Sequence, residues 1–162
     1  MKIGVIIVFH NNENDIDTSF FIEHLNRAKY LELCLVNNAS TDKTYKLLDE
    51  IKEMCEKKVS VVDVKKFKSD HAAIRSGARF MFNQHNLNHV GYVDANKLNS
   101  KFLSISKLIE VISQNQDIIV KYNIEVLDKK EMKQTLFQSV FSIVEYLEKL
   151  KKDNQLLNYS LS

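Results

Sequence analysis

At 162 residues, with 23 basic and 21 acidic side chains and a net charge of +2, the chain is long enough for one domain with a substantial core and lacks the positive field of a non-specific nucleic-acid binder. No apolar run approaches the roughly 18 residues of a membrane span, the apolar amino terminus is too short for a signal peptide, and the two cysteines lack the paired spacing of zinc or redox motifs, so a reduced, cytoplasmic protein is expected. With no proline and three glycines, the turns fall to Asn, Asp and Ser, and a P-loop or Gly-rich dinucleotide fingerprint is excluded.

Ile3 to Phe9 is a continuous apolar, β-branched run, the pattern of a strand covered on both faces in a parallel sheet. A polar cluster, His10 to Asp15, leads from it into a helix marked by Phe20, Phe21, Leu25 and Ala28. Leu31 to Val36 reads as the second strand. The polar turn Asn37 to Thr44 opens the next helix, with Ser40 or Thr41 as its N-cap and Asp42 favoured in the first turn by the helix dipole. Val59 to Val64 is a third strand, followed by the basic loop Lys65 to Lys68 and a helix over about Asp70 to Asn83. Val90 to Val93 is a short fourth strand running into Asp94-Ala95-Asn96-Lys97. Ser100 is expected to cap a helix over about Lys101 to Ser113, and Asp117 to Tyr122 to form a fifth strand. A long helix over about Lys130 to Lys152 completes the pattern, with Met132, Leu136, Val140, Phe141, Val144, Leu147 and Leu150 in one stripe. The alternation predicts one three-layer, doubly wound α/β domain with a mostly parallel sheet, residues 1–122 forming its core and 130–152 the long helix.

In such sheets ligands bind outside the carboxyl ends of the strands, where Asn37 to Thr44 and Asp94 to Lys97 fall. Taken alone, each stretch also reads as a plain polar turn, since Ser, Thr, Asp and Asn are the usual capping residues. His10, His24, His71, His85 and His89 share no metal-ligand spacing.

Four stretches in order carry a resemblance: Val5-Ile6-Ile7-Val8-Phe9-His10-Asn11, Val36 to Thr44, Lys68 to Arg79, and Tyr92-Val93-Asp94-Ala95-Asn96. Together they are similar to the amino-terminal, nucleotide-sugar-binding half of a family 2 glycosyltransferase. The resemblance implies a nucleotide-diphospho-sugar transferase-like fold that moves a sugar to an acceptor hydroxyl. It places Asn37, with His10 or Asn11, near the base and includes Asp42 in the polar turn. Lys68 and Arg75 fall near the phosphates, and Asp94 and Asn96 at the ends of a motif that binds Mg²⁺ or Mn²⁺. Asn37 and Asn96 stand where the family carries aspartates, Val8 stands where it carries proline, and no glycine follows Asp42. The acceptor half and its catalytic base have no recognisable counterpart. A second expectation is therefore a non-catalytic nucleotide-sugar-binding or assembly module, with the long helix offered for pairing two copies or for peripheral membrane contact.

Overall fold

β1 (Ile3–Phe9) is buried at every position, as its apolar run demands. The computed structural model describes residues 2–84, 86–98 and 103–157. In chain order, β1 is followed by α1 (Thr18–Arg27), β2 (Leu31–Asn38), α2 (Thr44–Met54), β3 (Val59–Val64) and α3 (Asp70–Gln84). Then come β4 (Val90–Asp94), a 3₁₀ turn (Ala95–Lys97), α4 (Ile105–Gln114), α5 (Gln116–Asp128), β5 (Phe141–Ser142) and α6 (Ile143–Lys152). The strands pair in parallel in the order β3-β2-β1-β4-β5. The winding reverses between β1 and β4, which makes the carboxyl ends of those two strands the topological switch point.

Alternation along β1 divides the core into two layers. Ile3, Val5, Ile7 and Phe9 pack with buried residues of α1, α2 and α4, whereas Ile6 and Val8 face Ala73, Ala78 and Met81 of α3. α3 lies close to the sheet because Gly77 lets it: a Cβ there would stand 2.6 Å from Ile6 Cγ2. The expected three-layer, doubly wound α/β fold is the one observed.

Two expected elements are not. Asp117 to Tyr122 is helical, within α5, and not a strand. Its apolar residues are too dense to separate a period of two from one of 3.6, and the helix sets Ile119, Val120 and Asn123 on one buried side. The sheet edge beyond β4 is taken instead by Phe141 and Ser142. The helix expected over 130–152 forms only from Ile143 to Lys152. Before it, Thr135 and Gln138 each accept a hydrogen bond from the other's backbone N–H, and the Ser139 hydroxyl donates to Leu136 O, so side chains satisfy backbone groups that a helix would have used. Met132 and Leu136 are correspondingly exposed rather than part of a packed stripe. α6 starts where Ser142 accepts from Glu145 N, and buries Ile143, Leu147 and Leu150. The expected cap Ser100 and helix start Lys101 lie outside the described residues, as does His85; α4 is capped by Ser104, which accepts from Lys107 N. Among the described residues no helix is long and apolar enough to cross a membrane.

Candidate functional site

The sheet register brings the proposed polar residues to one edge. Phe9 pairs with Asn37 and Val8 with Asp94, so Asn37 and Asp94 flank the end of β1 on its two sides. The loop leaving β1 is then tied to both neighbours. His10 Nδ1 contacts Asn38 O at 2.6 Å, Asn11 N donates to Ser40 Oγ at 3.0 Å, and Asn11 Oδ1 accepts from Thr41 N at 2.8 Å. Asn11 (φ 53°) and Ala39 (φ 52°) both adopt the left-handed region, so the two facing turns are each held in a conformation disfavoured for L residues.

Asp42 does the capping that Ser40 or Thr41 was expected to do. Its Oδ1 accepts from Thr44 N at 2.9 Å and its Oδ2 from Glu13 N at 3.2 Å; α2 itself begins after Lys43, whose side chain makes no cap. Burial pushes the Asp42 carboxyl up, but the hydrogen bonds from Thr44 and Glu13 outweigh it and hold it below its ordinary value. Asp42 therefore acts as a structural anchor of the turn.

Asn37 is buried, and its Nδ2 donates to Asp63 Oδ1 at 2.8 Å, directly opposite in the β2–β3 register. Its Oδ1 is buried with no hydrogen-bond partner among the described residues. Asn38, which the sequence reading left without a role, clamps the next loop: its amide donates to Lys68 O at 2.9 Å and accepts from Lys68 N at 3.0 Å. The Lys68 ammonium lies 3.5 Å from Ser76 Oγ and does not join Arg75 in the cavity described next.

That cavity, of about 750 Å³, opens between α3, the end of β4 and α6. Asp70, Arg75, Asp94 and Lys97 line it, with Glu145 and Glu148 on the α6 side. The Arg75 guanidinium sits over the Phe137 ring, 4.9 Å from its centroid. Lys97 pairs with Asp70 at 2.8 Å, and this pair holds the Asp70 carboxyl below its ordinary value. Burial pushes the Asp94 carboxyl the other way, and a hydrogen bond shared with Asp70 adds to the rise.

Asn96 fastens the switch point shut. Its Oδ1 accepts from Asn12 Nδ2 at 2.9 Å, its Nδ2 donates to His10 O at 3.0 Å, and its backbone N donates to Asp94 Oδ1 at 2.9 Å. The carbonyl expected to serve a cation is thus engaged by a protein donor. No group of three His, Cys, Asp or Glu side chains is gathered to hold a metal ion among the described residues. With Asp70 ion-paired and the Asn96 carbonyl engaged, these residues offer Mg²⁺ or Mn²⁺ little beyond the Asp94 carboxylate, a sparse protein donor set for ions that otherwise fill their shell with water and substrate phosphates.

Of the residues expected at a site, Asp94 and Arg75 meet in the cavity. His10, Asn11 and Asp42 knit the adjoining loops, Asn37 pairs with Asp63, and Asn96 bridges the two regions. Asp70 and Lys97 were missed; their signals were a carboxylate opening a helix after a basic loop and a lysine directly following the Asp94–Asn96 stretch.

Several solved structures resemble the fold in part. S. aureus TarS residues 1–349 is 14% identical with a TM-score of 0.49, covering 76% of this chain and 33% of that one. The same protein in complex with UDP gives 18% identity, a TM-score of 0.44 and coverages of 58% and 27%. The mannosyltransferase PcManGT from Pyrobaculum calidifontis, in complex with GDP-Man and Mn²⁺, gives 21%, 0.38, 49% and 24%. The chain thus spans about a quarter to a third of the length of these structures. No curated protein matches it. The family model for glycosyl transferase family 2, in contrast, matches residues 4–160, nearly the whole sequence, and the chain belongs to that family.

Proposed function

We propose that the chain binds a nucleotide-diphosphate sugar and supports transfer of the sugar to an acceptor hydroxyl. The observation that carries this reading is the cavity at the carboxyl end of β4, beside the switch point. It places cationic groups, Arg75 and Lys97, beside a buried carboxylate, Asp94, at the carboxyl end of a parallel sheet. A diphosphate is met by cations, and the hydroxyls of a sugar are met by carboxylates. In the transfer, an acceptor oxygen bonds to the anomeric carbon as the bond from that carbon to the diphosphate oxygen breaks, and the nucleoside diphosphate leaves with the electron pair. The acceptor proton passes to a base; Glu145 and Glu148, across the cavity, supply carboxylates for it. The base and ribose fall to the β1–β2 side, where the exposed Phe67 ring, 4.7 Å from His10, offers a stacking surface.

The test is calorimetric titration with UDP- and GDP-linked sugars. Saturable binding that is lost in Arg75→Ala supports the reading, and no binding of any donor at millimolar concentration refutes it. A second reading, a module that binds donor without transfer, is favoured by the engagement of Asn96 on both sides of its amide. Release of free sugar or of a glycosylated product from a bound donor separates the two.

A further inference from the structure

The cavity holds a cation of its own. Lys97 stands one residue beyond Asn96 on the 3₁₀ turn, and its ammonium meets Asp70 at 2.8 Å, while Asp94 lines the same cavity. The ammonium therefore engages Asp70, one of the two carboxylates on this wall, with a cation supplied by the chain itself. The Asn96 amide is committed elsewhere: its Oδ1 accepts from Asn12, and turning the amide to free that oxygen would also break its donation to His10 O. Lys97 is not consumed by its pairing. Its side chain is 70% exposed, and an ammonium has three N–H donors, of which Asp70 takes one. Arg75 is held over Phe137 in the same cavity, so two fixed cations face the space. Four carboxylates also line it: Asp70 and Asp94, answered by Lys97, and Glu145 and Glu148 on the opposite wall.

We propose that Lys97 supplies, from the chain itself, the positive charge that steadies the diphosphate of a bound nucleotide, so that binding needs no divalent metal. The proposal rests on the donor-binding reading above. The chemistry it calls for is a nucleoside diphosphate whose oxygens accept from Lys97 and Arg75, with Asp70 orienting the ammonium as a positioning residue.

The experiment measures the Kd of UDP and of GDP by calorimetry, once in EDTA and once with Mn²⁺, for the unaltered chain, Lys97→Met and Lys97→Arg. Thermal unfolding of each variant establishes that it is folded. Expected is binding in EDTA within about 2-fold of that with Mn²⁺. Lys97→Met should weaken binding by roughly 10- to 100-fold, the size of a lost charge-assisted hydrogen bond, and Lys97→Arg should keep most of it. Binding that appears only with Mn²⁺, or a folded Lys97→Met that binds as well as the parent, overturns the proposal and leaves donor binding standing. Absence of binding in both conditions overturns donor binding as well.

Discussion

Asn37 donates its amide to the Asp63 carboxylate across the β2–β3 ladder, a bond that a carboxylate at position 37 could not make. Asn96 follows the same logic, since its Nδ2 donates to His10 O. A carboxylate at either place would face an acceptor with nothing to give.

Asn37→Asp should therefore destabilise the fold by about 1–3 kcal/mol at neutral pH, the cost of removing a buried donor from its acceptor. In the parent, burial raises the Asp63 carboxyl, and the bonds from Lys65 and Asn37 outweigh it to hold it below 3.8. In the variant two carboxylates compete for one proton, so the deficit should shrink as the pH falls. Urea denaturation at pH 7 and pH 4.5 measures both; an equal deficit at the two values would remove the charge explanation.

Asp94→Asn should raise thermal stability at pH 7. Burial lifts the folded-state carboxyl above 3.8, so the native protein holds a proton that the unfolded chain has lost, and stability falls as the pH rises through that window. An amide carries no such penalty and can still accept from Asn96 N. The gain should vanish toward pH 3.8, while nucleotide binding weakens, the trade expected where a site retains an unfavourable charge. Melting curves across that pH range check the first part and calorimetry the second.

Ala39→Gly should stabilise the chain by about 1 kcal/mol. At φ 52°, alanine bears the Cβ clash that glycine avoids, and this relief exceeds the extra freedom glycine brings to the unfolded state. Equilibrium unfolding is the measurement, and a loss of stability would show that the turn is not strained.

The amide of Asn123 donates to His89 Nδ1 at 2.9 Å and accepts from the Tyr146 hydroxyl at 2.7 Å, a buried bridge joining α5, α6 and the residue before β4. Since Nδ1 accepts, the imidazole is neutral, and burial lowers its pKa from 6.5. Stability from this group is complete above 6.5 and is lost as the pH falls below it, because the unfolded chain takes up the proton first. Asn123→Ala, which strands both partners, should cost about 2–4 kcal/mol. The parent's unfolding free energy between pH 8 and pH 5 should decline, and His89→Phe should flatten part of that decline.

Most of this architecture was legible in the residues. The first four strands are short apolar runs bounded by polar clusters, and a fully buried parallel strand leaves that signature. The carboxyl half was less so. Asp117 to Tyr122 carries three consecutive β-branched residues, Ile118, Ile119 and Val120, so local preference pointed to a strand while burial of Ile119, Val120 and Asn123 favoured a helix. The start of α6 was readable from Ser142 and Glu145, a serine three residues before an acid, but a seven-residue apolar stripe running across it concealed the break. At the site, Asp94 and Arg75, both singled out from the order of motifs, line one cavity. The partners of Asn37, Asn38 and Asn96 are set by strand register and loop crossing, which no spacing along the chain reveals.

β1 is paired on both sides, and its Val8 takes Val36 as one neighbour and Asp94 as the other. The centre of the sheet is consequently its most non-local part. A chain in the act of folding closes two loops of very unequal length before this strand is satisfied, and the second closure, which brings β4 alongside, sets one wall of the cavity. The opposite wall waits for Phe137 to Glu148 to dock against β4, so nucleotide binding should be acquired with the final phase of refolding and never ahead of it.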